Sequence, residues 1–230
     1  MQFHNRTHAG LLLAQKMSNY IFDKKETIVL AIGIGGVAVA CKISEMFHLP
    51  LDIILIKKIG APNYPELAIG SISENNEVFY NDLLLDELSI KMSTIAPVKE
   101  KILDGLIKEG RIFRKGQVPI SLYHKNVILV DDGVITGSTM ESVLLILKKR
   151  NVNKVIIATP VASAEALLKF EKKVDSIVVL RSPNPVYTIS EWYKDFKQIE
   201  KTDVTQILNN QYTCSAHSNV TLNEKKLCME

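Results

Sequence analysis

Short unbroken runs of apolar residues alternate along the chain with longer stretches in which apolar positions recur every three to four residues. The runs at 27–32, 51–56, 126–131, 153–158 and 174–180 have the length and β-branched content of strands buried on both faces. The stretches at 5–22, 37–47, 138–150 and 163–172 have helical spacing; in the first, Ala9, Leu12, Leu13, Met17, Tyr20 and Ile21 share one side. Strands and helices in alternation predict βαβ units, and therefore a mainly parallel sheet covered by helices, the α/β class.

The alternation is interrupted between the second and third of these strands. Residues 67–72 and 77–80 flank Ser-Glu-Asn-Asn, which predicts a β-hairpin. Residues 94–114 predict a long helix whose buried stripe is Ile95, Val98, Ile102, Leu106 and Ile107. The interruption, about 60–116, is thus an insert of hairpin and helix within one domain over 1–208. After the last strand, 188–196 is aromatic and loop-like, 203–208 is a short helix, and 209–230 is a polar tail without periodicity.

Composition narrows the partners. An apolar fraction of 47% supports one sizeable core, and a net charge of +3 with no basic run excludes nucleic acid as the expected ligand. The arginines are few (Arg6, Arg111, Arg114, Arg150 and Arg181), so an anion site has to lean on lysines and backbone amides. Cys41, Cys214 and Cys228 are odd in number and form no CxxC pair, which predicts a reducing compartment rather than a disulfide framework or zinc ribbon. No signal pattern opens the chain and no apolar run is long enough to span a bilayer, so a cytoplasmic protein without membrane contact is expected.

The candidate chemistry concentrates in Val-Ile-Leu-Val-Asp-Asp-Gly-Val-Ile-Thr-Gly-Ser-Thr, residues 127–139. A buried strand ends at Asp131 and Asp132, and a loop of glycine and hydroxyl residues then leads into a helix. Ligands of open α/β sheets bind outside the carboxyl ends of the strands. A loop of amides at a helix N-terminus suits a phosphate. The carboxylates cannot face that phosphate as well, because like charges repel; they match sugar hydroxyls. A sugar 5-phosphate has both halves.

This segment resembles the 5-phosphoribosyl diphosphate (PRPP) signature of type I phosphoribosyltransferases, in which two acids follow a strand and precede Thr-Gly-x-Thr/Ser. Other stretches are similar to a bacterial phosphoribosyltransferase-like subgroup. They are Phe3, Arg6, Ala9-Gly10 and Leu13-Ala14 in the opening helix, Lys57-Lys58-Ile59-Gly60-Ala61-Pro62 with Pro65-Glu66-Leu67-Ala68-Ile69-Gly70, and Asn184-Pro185, Trp192-Tyr193 and Asp195-Phe196. The resemblance, over about 3–208, implies a type I phosphoribosyltransferase-like α/β fold. It also implies transfer of a 5-phosphoribosyl group from PRPP to a nitrogenous acceptor, with Mg2+. Asp131 and Asp132 would be the catalytic and metal-holding acids, on the ribose hydroxyls directly or through metal-bound water. Gly133, Val134, Ile135, Thr136, Gly137, Ser138 and Thr139 would hold the 5-phosphate. Gly35 and Gly36, with Lys57 and Lys58, would hold the diphosphate.

Two departures from the family pattern stand out. The related proteins commonly have Pro-Arg-Gly-Gly where this chain has Gly33-Ile34-Gly35-Gly36, so a guanidinium is missing; Arg111 and Arg114 are candidates to replace it, although solvated helix ends are the simpler expectation for them. The acid that 6-oxopurine enzymes carry two residues before the loop glycine is Ile135 here, which argues against hypoxanthine or guanine as acceptor. A non-catalytic protein that binds PRPP or a nucleotide as a regulator is the alternative, and a phosphoribosyl-binding subunit of a homo-oligomer is a third reading. Gly33-Ile34-Gly35-Gly36-Val37-Ala38 also fits a dinucleotide fingerprint, but the second strand then begins with Asp52 and ends in lysines instead of ending in an acid. His4 and His8 lack a third metal ligand and read as capping or solvated residues, and Trp192, Tyr193 and Phe196 read first as core or interface aromatics.

Overall fold

The computed structural model describes residues 2–210. Its centre is a five-stranded sheet in the order β2-β1-β6-β7-β8, formed by β1 (Thr27–Ile32), β2 (Leu51–Ile54), β6 (Asn126–Val130), β7 (Lys154–Val161) and β8 (Ser176–Arg181), with every neighbouring pair parallel. The expected mainly parallel α/β sheet is therefore present. Side chains alternate across it, as the two-residue period of a strand requires. Val29, Ala31, Ile128 and Val130 enter the core on the side of α1 (Arg6–Lys16), α2 (Gly33–Phe47) and α4 (Met92–Phe113), whereas Ile28, Leu30, Val127 and Leu129 enter the core under α5 (Ser138–Lys149) and α6 (Ala164–Phe170). Both faces are covered, which is why these strands read as unbroken apolar runs.

The insert departs from the sequence reading. The apolar run 51–56 is not one strand: β2 stops at Ile54, and β3 (Ile56–Ala61) turns away into a separate antiparallel sheet with β4 (Tyr64–Ser73) and β5 (Val78–Tyr80). The predicted hairpin is the β4–β5 pair, and β3 is its third strand. A buried ion network holds this junction. Arg114, at the end of α4, donates from Nε to Asp52 of β2 (2.8 Å), from Nη1 to Glu74 (2.7 Å) and from Nη2 to the carbonyl of Ile53. Burial opposes the guanidinium charge, but the hydrogen bond to Glu74 and the charges of Asp52 and Glu74 more than offset it and hold the pKa above its usual value. Arg114 is thus neither a solvated helix end nor a ligand for a diphosphate, while Arg111 is exposed. Asp52 is engaged in the same network, which removes the dinucleotide reading's one nearby acid.

α1 lies on α2, where Gly10 permits contact: a Cβ there would stand 2.7 Å from the Val39 carbonyl oxygen. The chain after β8 passes through a 3-10 turn at Ser190–Trp192 and pairs Tyr193 with Phe3, and a last helix covers 201–210, longer than the 203–208 expected. Most of the predicted tail, 211–230, with Cys214 and Cys228, lies outside the described residues. No helix among the described residues is long and apolar enough to cross a membrane.

Candidate functional site

β1 leads outward to β2 on one side and β6 leads to β7 and β8 on the other, so the chain reverses its direction of progress between β1 and β6. The carboxyl ends of those two strands flank the crevice where open α/β sheets bind ligands. Asp131 and Asp132 follow β6 directly, and Gly33–Gly36 open α2 directly after β1.

Close backbone approach fits these two ends together. A Cβ on Gly35 would lie 2.7 Å from Oδ2 of Asp132, and one on Gly36 would lie 2.6 Å from the carbonyl oxygen of Val130. Only glycine lets the first turn of α2 sit against the acidic pair. Ile34 turns to the core on the α2 side.

The two acids are not equivalent. Asp131 accepts the amide of Asp132 at 2.9 Å, and burial, followed by the charge of Asp132, pushes its carboxyl well above the usual range. Asp132 is paired: Nε of Arg6, 126 residues earlier in the chain, donates to its Oδ2 at 2.7 Å. The Tyr193 hydroxyl donates to the Asp132 backbone carbonyl at 2.6 Å, and burial, then the Asp132 charge, raises its pKa.

The loop after the acids is fixed from behind. Val134 bridges to Ala162, Ser163 Oγ donates to the Ile135 carbonyl at 2.6 Å, and Lys169 Nζ donates to the Thr136 carbonyl at 3.1 Å. Gly137 then adopts φ +74 as the N-cap of α5, with the Phe170 ring filling the space a side chain would need. With the carbonyls held in this way, the amides of Ile135, Thr136 and Gly137 donate to no protein acceptor among the described residues. Unspent amide donors at a helix start are the groups with which a backbone can receive an anion. Thr136 and Ser138 hydroxyls, 3.1 Å apart, stand beside these amides.

Lys57 and Lys58 follow the second strand, as expected, but stand on β3 of the antiparallel sheet. Both are exposed on β3, and they line a pocket of about 330 Å³ together with Ser71, Tyr80, Ser138 and Thr139. The structure thus groups the lysines with the start of α5, and Lys57 Nζ also lies 3.6 Å from Glu109. His4 and His8 form a capping arrangement, with His8 Nδ1 accepting the amide of His4 and Asn5 accepting that of His8, and no group of three metal-ligating side chains occurs among the described residues.

Sequence reasoning assigns no role to Arg6 or Ile189. Arg6 is visible there only as one position of the opening helix. Ile189 packs on Gly133 so closely that a side chain there would collide with it. Neither contact has a spacing signature, because each joins segments far apart in the chain.

Comparison with known proteins agrees with this geometry. The family model of the phosphoribosyl transferase domain matches residues 4–197. Two curated proteins from strains of Mycobacterium tuberculosis, each named “Putative phosphoribosyl transferase”, are 29% identical to the chain over 210 residues. That match covers 91% of this chain and 47% of each relative, so the chain spans about half the length of the curated relatives it matches. The crystal structure of TT1426 from Thermus thermophilus is 31% identical and superposes with a TM-score of 0.76, covering 90% of this chain and 98% of that one. With the family model matched over residues 4–197, and with an acidic pair at the end of the central strand of a parallel sheet, the chain belongs to the phosphoribosyl transferase domain family.

Proposed function

We propose that the chain binds PRPP with Mg2+ and transfers the 5-phosphoribosyl group to a nitrogenous acceptor, releasing diphosphate. The observation that carries this reading is the join at the end of β6, where two carboxylates are followed within a few residues by a cradle of unspent amides. Asp131 and Asp132 take the 2- and 3-hydroxyls of the ribose, and Gly133–Thr139 hold the 5-phosphate. In the transfer, the bond from the anomeric carbon to diphosphate breaks with its electron pair leaving on the diphosphate oxygen, and a lone pair of the acceptor nitrogen forms the new bond. The transition state has oxocarbenium-like character. The protein contributes position and charge complementarity.

The donor set fits magnesium, which binds one or two carboxylates and takes its other ligands from water and substrate phosphates. Asp131 and Asp132 would hold it, and it would neutralise charge on the departing diphosphate. Ile135, Ile189, Trp192 and Phe196 gather in an apolar cluster with Tyr193, whose hydroxyl reaches the Asp132 carbonyl. An acceptor there receives no help from a carboxylate at position 135, which disfavours 6-oxopurines. The aliphatic side chain of Ile34, where the resemblance implies an arginine, favours a second reading, binding of PRPP or a nucleotide without transfer.

Calorimetric titration with PRPP, with and without Mg2+, followed by a diphosphate-release screen over bases and amines, tests both. Magnesium-dependent binding with release for one acceptor is the expected result. Binding without release in any mixture selects the regulatory reading, and no binding at all removes both. Asp131→Asn combined with Asp132→Asn should abolish PRPP binding with the circular dichroism spectrum unchanged; retained affinity would refute this placement of the ribose.

A further inference from the structure

Arg6 is built into the site more firmly than a surface arginine needs to be. Its guanidinium carbon lies 3.6 Å from the centroid of the Phe196 ring, its Nε donates to Asp132 and its Nη1 donates to the Lys197 carbonyl at 2.8 Å. The side chain is only 12% exposed. Asn5, the residue before it, caps α1 by accepting the amide of His8 at 2.9 Å, so the backbone that carries the arginine is fixed as well. A guanidinium has five N–H donors in a planar fork. Here the Nη2 amino group has no hydrogen-bond partner among the described residues and remains open to solvent, although the rest of the side chain is largely covered. A donor left unspent and accessible on a side chain held in place by its neighbours is one that a ligand can complete.

The place where they are left matters. The Asp132 oxygen that accepts from Arg6 is also the oxygen that Gly35 approaches, so the guanidinium stands beside the turn from β1 into α2. A multiply charged anion seated at that turn would otherwise meet two carboxylates and a helix start whose side chain at position 34 is aliphatic. Lys57 and Lys58, the cations expected there, face the pocket at the start of α5.

We infer that Arg6 is a substrate-binding residue that receives the diphosphate of PRPP at the β1–α2 turn through its free Nη2 edge, while its Nε stays on Asp132. This assignment rests on the reading of the crevice as a PRPP site. It makes α1 part of the ligand pocket and gives the arginine two tasks, orienting a ribose-binding acid and compensating the leaving group's charge. With Nε on Asp132 and Nη1 on the Lys197 carbonyl, the Nη2 amino group is left to give the charge-assisted hydrogen bonds of the second task.

The two tasks separate with three ligands titrated calorimetrically at one fixed Mg2+ concentration: PRPP, ribose 5-phosphate and inorganic diphosphate. In the Arg6→Gln variant, affinity for PRPP and for diphosphate should fall by about ten-fold or more, the usual effect of losing a charge-assisted hydrogen bond. Ribose 5-phosphate, which lacks the diphosphate, should lose distinctly less affinity than PRPP does, only what the loosened Asp132 costs. Arg6→Lys keeps the charge and loses the fork, so it should recover part of the diphosphate affinity; if the glutamine variant does not fold, the lysine variant carries the same comparison. Equal losses for PRPP and ribose 5-phosphate would mean that Arg6 only clasps Asp132, and unchanged PRPP affinity would mean that it touches no phosphate; either overturns the inference. A wild-type protein that binds none of the three ligands overturns the PRPP reading itself and this inference with it.

Discussion

Arg114 and Asp52 lie 62 residues apart in the chain and meet at 2.8 Å, each side chain only 2% exposed. The pair closes the joint at which the chain leaves the parallel sheet for the antiparallel one. Glu74 shares the guanidinium, and Asp52 Oδ2 also accepts the amide of Ile120 at 2.8 Å. One arginine thus ties together β2, the turn between β4 and β5, the end of α4 and the approach to β6.

Arg114→Met therefore leaves two buried carboxylates without their cation. Removing one partner of a buried pair costs about 3–5 kcal/mol. Urea unfolding followed by fluorescence should show the midpoint moving down with an unchanged slope. A loss under about 1 kcal/mol, well below that range, would mean that water reaches the joint and compensates the acids.

This joint also marks a limit of sequence reading. Residues 51–61 contain no glycine or proline before Gly60 to signal that the strand ends at Ile54, and the apolar run continues through Ile56. The change of sheet is set by tertiary contacts, chiefly those of Arg114, whose own sequence neighbourhood reads as an ordinary charged helix end. The site divides in the same way. Asp131 through Thr139 are legible because acid pair, loop glycine and helix start are consecutive and their order carries the chemistry. Arg6, Tyr193 and Ile189 reach the same crevice from segments with no shared spacing, so only the folded chain brings them together. The family resemblance supplies the ligand expected at the site; periodicity alone supplies its sheet.

Gly137→Ala tests the cradle. At φ +74 a non-glycine residue costs about 1–2 kcal/mol, and the new methyl would also meet the Phe170 ring at 2.5 Å, which adds an overpacking cost of about 1–3 kcal/mol. The helix start must shift, and the unspent amides with it. Ribose 5-phosphate affinity should fall by more than about ten-fold, the equivalent of about 1.4 kcal/mol. Affinity equal to wild type would place the phosphate elsewhere.

Cys41 provides a check on the packing of α2. Burial, and next the hydrogen bond to Glu45, pushes its thiol up to about 12. The thiolate is the reactive form, so at pH 8 the folded protein should protect this residue from alkylation. Mass spectrometry of peptides after iodoacetamide treatment should find Cys41 modified only once denaturant is added. Rapid labelling in the native protein would contradict its place against the core.

Asp131 gives a prediction whose sign depends on linkage. Its pKa in the fold is raised above the ordinary 3.8, mainly by burial and then by Asp132. A carboxyl raised on folding binds its proton more tightly in the native state, so its favourable contribution is complete below the unfolded pKa and is lost as pH rises through the folded value. Above the unfolded value the raised pKa is therefore a cost to the ligand-free protein, and on the proposed function the ionised form is the one that accepts sugar hydroxyls or a metal. Asp131→Asn removes that cost. The variant should have a higher Tm than wild type at pH 7, and the gap should shrink as pH falls toward the unfolded value of 3.8. The same variant should lose PRPP affinity at every pH. Calorimetric scans across this range decide the matter: a lower Tm for the variant at pH 7, or a gap that widens on acidification, would show that the folded protein prefers Asp131 charged even without ligand.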